Sequence, residues 1–223
     1  MKYRNTVKGI FQDRPNRFIA HVNINGKTET VHVKNTGRCK ELLIPGAEVT
    51  LEICDNPSRK TKYDLISVYK ENLGWVNIDS QAPNKIVAEW LKTNPSVFDN
   101  IVKIKQEYTY GKSRVDFYIE TEKDKILMEI KGCTLELNGQ GYFPDAPTER
   151  GVKHLKELTG AVKSGYKCYI GFVIALPGIK SVLPNIETHP QFGTALNEAV
   201  ENGVEILYLT CDVTSDSLTV NNK

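Results

Sequence analysis

The sequence predicts an α+β chain in two parts: a small OB-like β-barrel over residues 1–80, then a mixed sheet flanked by helices over residues 81–223. Three observations predict it. The first part alternates apolar and polar residues with a period of two around an Asn25-Gly26 turn. The texture changes at Asp79-Ser80-Gln81-Ala82-Pro83-Asn84. Beyond it, helical and strand patterns interleave in the order α-β-β-β-α-β-α-β.

Along the first part, Val7 to Phe11 reads as a strand, and Arg17 to Ile24 sets Phe18, Ala20, Val22 and Ile24 against Ile19, His21 and Asn23. Asn25-Gly26 turns the chain and Thr28 to Lys34 returns it, followed by strands at Val49 to Ile53 and Asp64 to Tyr69. Between the third and fourth strands, Gly37 to Ile44, closed by Pro45-Gly46, is expected to form one short helix. That layout is a five-stranded OB barrel.

In the second part a short helix is expected over Lys85 to Leu91, entered through Asn84 or Ser80. Strands follow at Val102 to Tyr108, Arg114 to Glu120 and Lys125 to Lys131, then a long connection from Gly132 to Pro147 without regular structure. A helix from about Thr148 to Lys163 stops at Gly165, and the unbroken apolar run Cys168 to Ala175 reads as a buried central strand. A last helix, Gln191 to Asn202, with Gly203 past its end, leads into a strand at Val204 to Leu209.

Composition excludes several classes of protein. With 40% hydrophobic and 25% charged residues the chain is ordinary for a globular protein, and no apolar run approaches the roughly 18 residues of a membrane span. The five cysteines are odd in number and at least 15 positions apart, so there is no Cys-x-x-Cys zinc or redox motif. They read as small buried side chains in a reducing compartment, and Met1-Lys2-Tyr3-Arg4-Asn5 leads into polar sequence. Both observations lead us to expect a cytoplasmic protein with no membrane partner. Net charge is only +2, but it is unevenly spread: +4 over residues 1–80 and −2 over residues 81–223. A basic module beside a carboxylate-bearing one fits this asymmetry, and so does chance. There is no Gly-x-Ser-x-Gly elbow, no phosphate-binding P-loop and no dinucleotide fingerprint.

The chemistry lies in the second part. Strand period puts Glu129 and Lys131 on one face, with Met128 and Ile130 on the other. Asp116 precedes Glu129 by 13 positions, room for one turn and an antiparallel return that sets it across from the pair. Two facing carboxylates beside an ammonium favour a divalent cation between them, and hard oxygen ligands select Mg²⁺ or Mn²⁺. Such an ion polarises a phosphate while Lys131 orients or activates the attacking water. A solvated strand face also alternates Glu and Lys, so this short pattern has a bland alternative. Tyr142 lies in the long connection, and Arg150 and His154, four apart on a helix, are suited to gripping phosphate; a solvated helical face is the competing explanation.

Several motifs together resemble a known family: Asn35-Thr36-Gly37-Arg38, Glu41-Leu42-Leu43-x-Pro45-Gly46, Pro83-Asn84, Tyr110-Gly111-x-Ser113-Arg114-x-Asp116, Met128-Glu129-Ile130-Lys131-Gly132, Phe143 through Gly151, and Thr188-His189-Pro190-x-Phe192. The chain is similar, over nearly its whole length, to the sugar fermentation stimulation protein family, SfsA. The resemblance implies an N-terminal OB-like domain and a C-terminal restriction-endonuclease-like domain of the PD-(D/E)xK nuclease type. It further implies DNA binding of low sequence specificity and a role in regulating sugar (maltose) use. On that pattern Asp116 and Glu129 match the metal carboxylates and Lys131 the catalytic lysine; Glu89 matches an accessory acid, with Glu107 as its rival. Val115 stands where the pattern has proline, a residue that shapes the strand and touches no metal.

The expected function is therefore a DNA-binding, Mg²⁺- or Mn²⁺-dependent nuclease, with sequence-independent affinity from Arg17, Lys34, Arg38 and Lys40 of the barrel. The alternatives are a non-catalytic DNA-binding regulator that keeps the nuclease fold, and a metal-dependent enzyme acting on RNA or a small phosphoester.

Overall fold

Six strands build the first sheet: β1 (Thr6–Asn16), β2 (Ile19–Ile24), β3 (Lys27–Val33), β4 (Glu48–Ile53), β5 (Tyr63–Lys70) and β6 (Gly74–Asn77). The structure, a computed structural model, describes residues 1–35, 37–56, 58–111 and 113–221; Thr36 of the Asn35-Thr36-Gly37-Arg38 motif lies outside the described residues. Asn25 and Gly26 both take positive φ, 51° and 85°, the backbone that a two-residue hairpin between β2 and β3 requires. The sheet order is β3-β2-β1-β4-β5-β6, and a parallel pairing of β3 with β5 through His32↔Asp64 and Val33↔Leu65 closes the OB barrel. Ala20, Val22 and Ile24 point into its core as the alternation predicts. Phe18 does not: β2 begins one residue later, where Asn16 Oδ1 accepts the N–H groups of Phe18 and Ile19, and the Phe18 ring stays exposed.

The helix expected over residues 37–44 is absent. Leu42 and Leu43 both donate to the Cys39 carbonyl, a single turn entered through Cys39 at φ 46°. The reason is Arg14. Its guanidinium donates to the carbonyls of Gly37 (2.9 Å), Arg38 (2.8 Å), Arg17 (2.8 Å) and Asn35 (2.7 Å). The carbonyls a helix would need are held by a side chain instead.

The second sheet is mixed. In chain order its part of the molecule runs α1 (Ala82–Thr93), a 3-10 turn (Pro95–Phe98), β7 (Ile101–Tyr110), β8 (Ser113–Thr121), β9 (Lys125–Cys133), β10 (Leu135–Leu137), β11 (Gln140–Phe143), α2 (Glu149–Lys163), β12 (Lys167–Ile174), β13 (Val182–Pro184), α3 (Pro190–Glu201), β14 (Val204–Val213) and β15 (Leu218–Val220). The order across the sheet is β15-β14-β12-β9-β8-β7. β7, β8 and β9 are antiparallel, whereas β12 runs parallel to β9 and β14. Ile86, Val87 and Leu91 of α1 pack on one face with Phe117, Met128 and Ile130; Leu155 and Leu158 of α2 and Phe192 of α3 pack on the other with Leu127, Ile170 and Phe172. This is the restriction-endonuclease-like layer arrangement.

Two further details depart from expectation. The helix α1 begins at Ala82, behind Gln81 and with Pro83 in its first turn, because Asn84 and Ser80 are occupied elsewhere. Asn84 bonds to Asp116, and the Ser80 hydroxyl bonds to the Lys34 carbonyl. The connection Gly132 to Pro147 is also not structureless: β10 and β11 form a hairpin around Asn138 (φ 53°) and Gly139 (φ 80°), and β11 pairs in parallel with β13.

At the end of that connection Asp145 reaches the barrel. Its Oδ2 accepts the Cys39 N–H at 3.3 Å, and any Cβ at position 37 would fall on its carboxylate. Gly37 is therefore a close-approach glycine between the two parts. Gly37→Ala should lower stability by about 1–3 kcal/mol through this overlap, measured by urea unfolding. In an Asp145→Ala background the same substitution should cost clearly less, the non-additivity expected of a contacting pair.

Candidate active site

The antiparallel ladder between β8 and β9 ends at Phe117↔Met128. One residue further along β8, Asp116 turns its carboxylate into the gap. Asp116 Oδ2 accepts the Ile130 N–H at 2.7 Å, a donor that no longer has a carbonyl across from it, and Oδ1 accepts from Asn84 Nδ2 at 2.7 Å. Asn84 reaches Asp116 because α1 crosses close to β9: a Cβ on Gly132 would lie 2.9 Å from Pro83 Cγ. Glycine at 132 thus permits the approach that delivers the asparagine.

Glu129 points to the α2 side of the sheet, 3% exposed. Its Oε1 receives Lys131 Nζ at 2.5 Å and the Nδ1 of His154. His154 Nε2 lies 3.2 Å from Arg150 Nε, which can only donate, so Nε2 accepts and Nδ1–H is left for Glu129. Glu129 Oε2 is buried with no hydrogen-bond partner among the described residues.

The two carboxyls are pushed in opposite directions. Burial, and then the charge of Glu129, raise Asp116 above the ordinary carboxylate range, outweighing its hydrogen bonds and Lys131. Burial acts on Glu129 in the same sense, but the His154 hydrogen bond and the Lys131 charge outweigh it and hold Glu129 below its ordinary value. The site therefore has one firmly ionised carboxylate beside one reluctant to ionise. That is a residual repulsion which a cation would relieve.

Residues 81–217 match the family description "Sugar fermentation stimulation protein RE domain", and residues 13–78 match "SfsA N-terminal OB domain". The chain belongs to the sugar fermentation stimulation protein family. A homologue from Ruminiclostridium cellulolyticum is 55% identical over 96% of this chain and 93% of its own, and one from Desulfitobacterium hafniense is 55% identical over 98% and 94%. The solved structure of Pyrococcus furiosus SfsA in complex with Ca²⁺ superposes with a TM-score of 0.86 at 30% identity, covering 99% of this chain and 95% of that one.

Within this SfsA chain, Asp116, Glu129 and Lys131 come together as described, and His154 joins them. His154, expected to help grip phosphate, is 7% exposed, with Nδ1 on Glu129 and Nε2 accepting from Arg150. Glu89 stays away from the site: its carboxylate is exposed and pairs with the N-terminal ammonium at 2.8 Å. The residue that α1 brings to the site is Asn84. The sequence offered Asn84 as a helix entrance and Pro83-Asn84 as one of the family-like motifs, neither of which ties it to Asp116. Arg17, Arg38, Lys40 and Arg150 are exposed. Arg17 and Tyr142, from the two parts of the chain, line one cleft of about 380 Å³ together with Pro83 and Gly132, the chain neighbours of Asn84 and Lys131.

Lys34 also faces inward rather than toward a phosphate. Its ammonium lies 2.9 Å from Asp79, 3.4 Å from Asp64 and 3.9 Å from Glu52, with the side chain 10% exposed. Lys34→Met should cost about 3–5 kcal/mol, the cost of stranding buried carboxylates, read as a lower urea midpoint. Burial opposes the ionised form of Asp64, yet Arg59 and Lys34 outweigh it and hold its carboxyl far below the usual range. A depressed carboxyl contributes stability at neutral pH that is lost as pH falls through the carboxylate range. The Lys34→Met deficit should accordingly narrow on acidification.

Proposed function

We propose that this SfsA protein is a DNA-binding, divalent-metal-dependent phosphodiesterase of low sequence specificity, with Asp116 and Glu129 as metal ligands and Lys131 as the catalytic lysine. The observation that carries the proposal is the buried, unpartnered Oε2 of Glu129 beside an Asp116 that resists ionisation. A lone pair buried without a donor is costly unless something absent from the polypeptide binds it. The described residues form no cluster of three or more His, Cys, Asp or Glu ligands. Two carboxylates suit Mg²⁺ or Mn²⁺, hard ions whose remaining positions are filled by water and substrate oxygens. The Ca²⁺ complex of the Pyrococcus relative supports a divalent ion in the family.

When bound, the ion supplies charge neutralisation at the scissile phosphate. The chain's own residues do the rest. Asn84 and the Ile130 N–H fix the rotamer of Asp116, and His154 and Lys131 fix that of Glu129. Lys131, 13% exposed, then holds the attacking water and offsets the negative charge that builds on the phosphate.

On this reading the chain divides after Ser80 into a nucleic-acid-binding barrel and a cleaving domain. Arg17, Arg38, Lys40 and Tyr142 carry the DNA toward the site, and Arg150 sits beside it. The protein works in the cytoplasm, consistent with five unpaired cysteines and with no described helix long and apolar enough to cross a membrane. Through DNA binding it acts on the regulation of sugar metabolism. The second reading, a non-catalytic DNA-binding regulator, draws on one observation: Lys131 already offsets the charge of Glu129, and His154 hydrogen-bonds it, without a metal.

Cleavage on gels with single- and double-stranded DNA and RNA, in Mg²⁺, Mn²⁺ and EDTA, decides between them. Asp116→Asn and Glu129→Gln should each cut hydrolysis by at least about 100-fold while leaving DNA binding in EDTA intact. A wild type that binds DNA but cleaves nothing with either metal rules out the catalytic reading in favour of the regulator. Melting provides an independent check. At about 100 times its dissociation constant, Mn²⁺ should stabilise the wild type by about 2.7 kcal/mol; Asp116→Ala should lose that shift and Lys131→Ala should keep it.

A further inference from the structure

The β7–β8 hairpin carries a backbone anomaly beside the site. Gln106 pairs with Phe117 and Tyr108 with Val115, so Glu107 lies at the register position across from Asp116. Glu107 has φ 52°. The left-handed region is natural for glycine and tolerated by asparagine and aspartate in turns; a glutamate within a strand gains nothing local from it. Strain of this kind persists where the surroundings or a function hold it.

The surroundings offer little. The Glu107 carboxylate pairs with Arg114 Nη1 at 3.2 Å, and both side chains are well exposed. Exposed pairs contribute almost nothing to stability. What the strained backbone does achieve is placement: Glu107 and Arg114 line an open cleft of about 660 Å³ together with Ser113, Arg150, Lys153 and His154. Three permanent cations share that cleft with one lining carboxylate. Lys153 leans on Glu157 at 3.7 Å, and Arg150 uses its Nε–H on His154. The terminal nitrogens of Arg150 make no hydrogen bond to the described residues, and Arg114 has Glu107 as its acidic partner. The cleft opens beside His154, whose other ring nitrogen holds Glu129.

We propose that this cleft is a phosphodiester subsite for the nucleic-acid segment adjoining the site, and that Glu107 is an internal anion occupying Arg114 until a phosphate displaces it. The proposal rests on the reading of the chain as a nucleic-acid-binding protein and is independent of cleavage. A phosphate offers Arg114 two oxygens in the fork geometry that guanidinium prefers, and a shared partner in Arg150. The carboxylate offers an exchangeable substitute. Displacing it sets a threshold that a single stray anion does not meet, whereas a polyanion that also engages Arg150 does.

The test is binding of a short fluorescein-labelled DNA duplex in EDTA, followed by anisotropy across a range of salt. Glu107→Gln should tighten binding by roughly threefold to tenfold at low salt. Arg114→Ala should weaken it and reduce the salt slope by about 1. In an Arg114→Ala background, Glu107→Gln should give no gain. Glu122→Gln, in the turn between β8 and β9, should leave binding unchanged. Glu107→Gly should tighten binding as Glu107→Gln does and raise the melting temperature, since glycine adopts the left-handed backbone freely. An unchanged affinity for Glu107→Gln, an equal gain in the Arg114→Ala background, or an equal gain from Glu122→Gln would overturn the proposal. A melting temperature lowered by Glu107→Gly would also overturn it, by showing that the glutamate serves the fold. A wild type that binds DNA but never cleaves it removes only the catalytic reading; one that binds no DNA in EDTA removes both.

Discussion

Asp116 occupies the point where two strands part, and much of the site follows from how that parting is satisfied. When β8 and β9 stop pairing at Phe117↔Met128, the Ile130 N–H loses its natural acceptor inside a protein interior. A buried amide without a partner is costly, so something must take its place. The Asp116 carboxylate does, and by doing so it is pulled away from water and toward Glu129. The ladder defect and the carboxylate pair are one feature. A residue without an acceptor at 116 would leave the backbone unsatisfied, and one without charge would break up the carboxylate pair. Fold and chemistry make the same demand on that side chain.

The barrel is tied to this sheet through an equally economical set of contacts. Arg14 gathers four carbonyls and fixes the loop around residue 37, which brings the Cys39 N–H to Asp145. Asp145 closes the connection that begins immediately after Lys131. Lys70 reaches across in the same way to Glu136, at 2.5 Å. The cleft that holds both Arg17 and Tyr142 is framed by this arrangement, so the distance between a barrel cation and the carboxylate site is set by packed polar contacts rather than by a free linker.

The parts of the fold that were legible in sequence are those in which local and tertiary demands coincide. Asn25-Gly26 dictates a hairpin wherever it occurs, Thr148 caps α2 by accepting the Gly151 N–H, and the unbroken run around Ile170 belongs only in the middle of a sheet. Illegible parts are those where a distant group decides. The turn at 37–44 has helical composition, but Arg14, far back in the chain, removes its carbonyls. The strands β10, β13 and β15 have three residues each, too few for a period to show, although Asn138-Gly139 repeats the hairpin signal already used at Asn25-Gly26. Asp116, Glu129 and Lys131 were readable because strand alternation and a short return fix their mutual placement. The helical contribution was not: that α1 sends Asn84, and not Glu89, to Asp116 depends on which side of α1 faces β9, and that is set by the approach of Pro83 to Gly132. Lys34 misled for a related reason, since a lysine that ends a strand looks exposed until Asp64 and Asp79 are seen around it.

A single hydrogen-bonded sequence, Arg150 to His154 to Glu129 to Lys131, runs from the basic cleft into the carboxylate pair. Its direction is fixed at one end, because a guanidinium cannot accept, and this fixes the tautomer of His154 and hence which proton meets Glu129. The helix supplies both of the first two members one turn apart, so α2 positions Glu129 and flanks the cleft with the same face. An anion that draws the Arg150 guanidinium outward would weaken its hold on His154 Nε2, and through it the hold of His154 on Glu129. The cation in the cleft and the carboxylate at the site are joined through one imidazole. In this arrangement the helix that lines the basic cleft also carries the imidazole that holds Glu129.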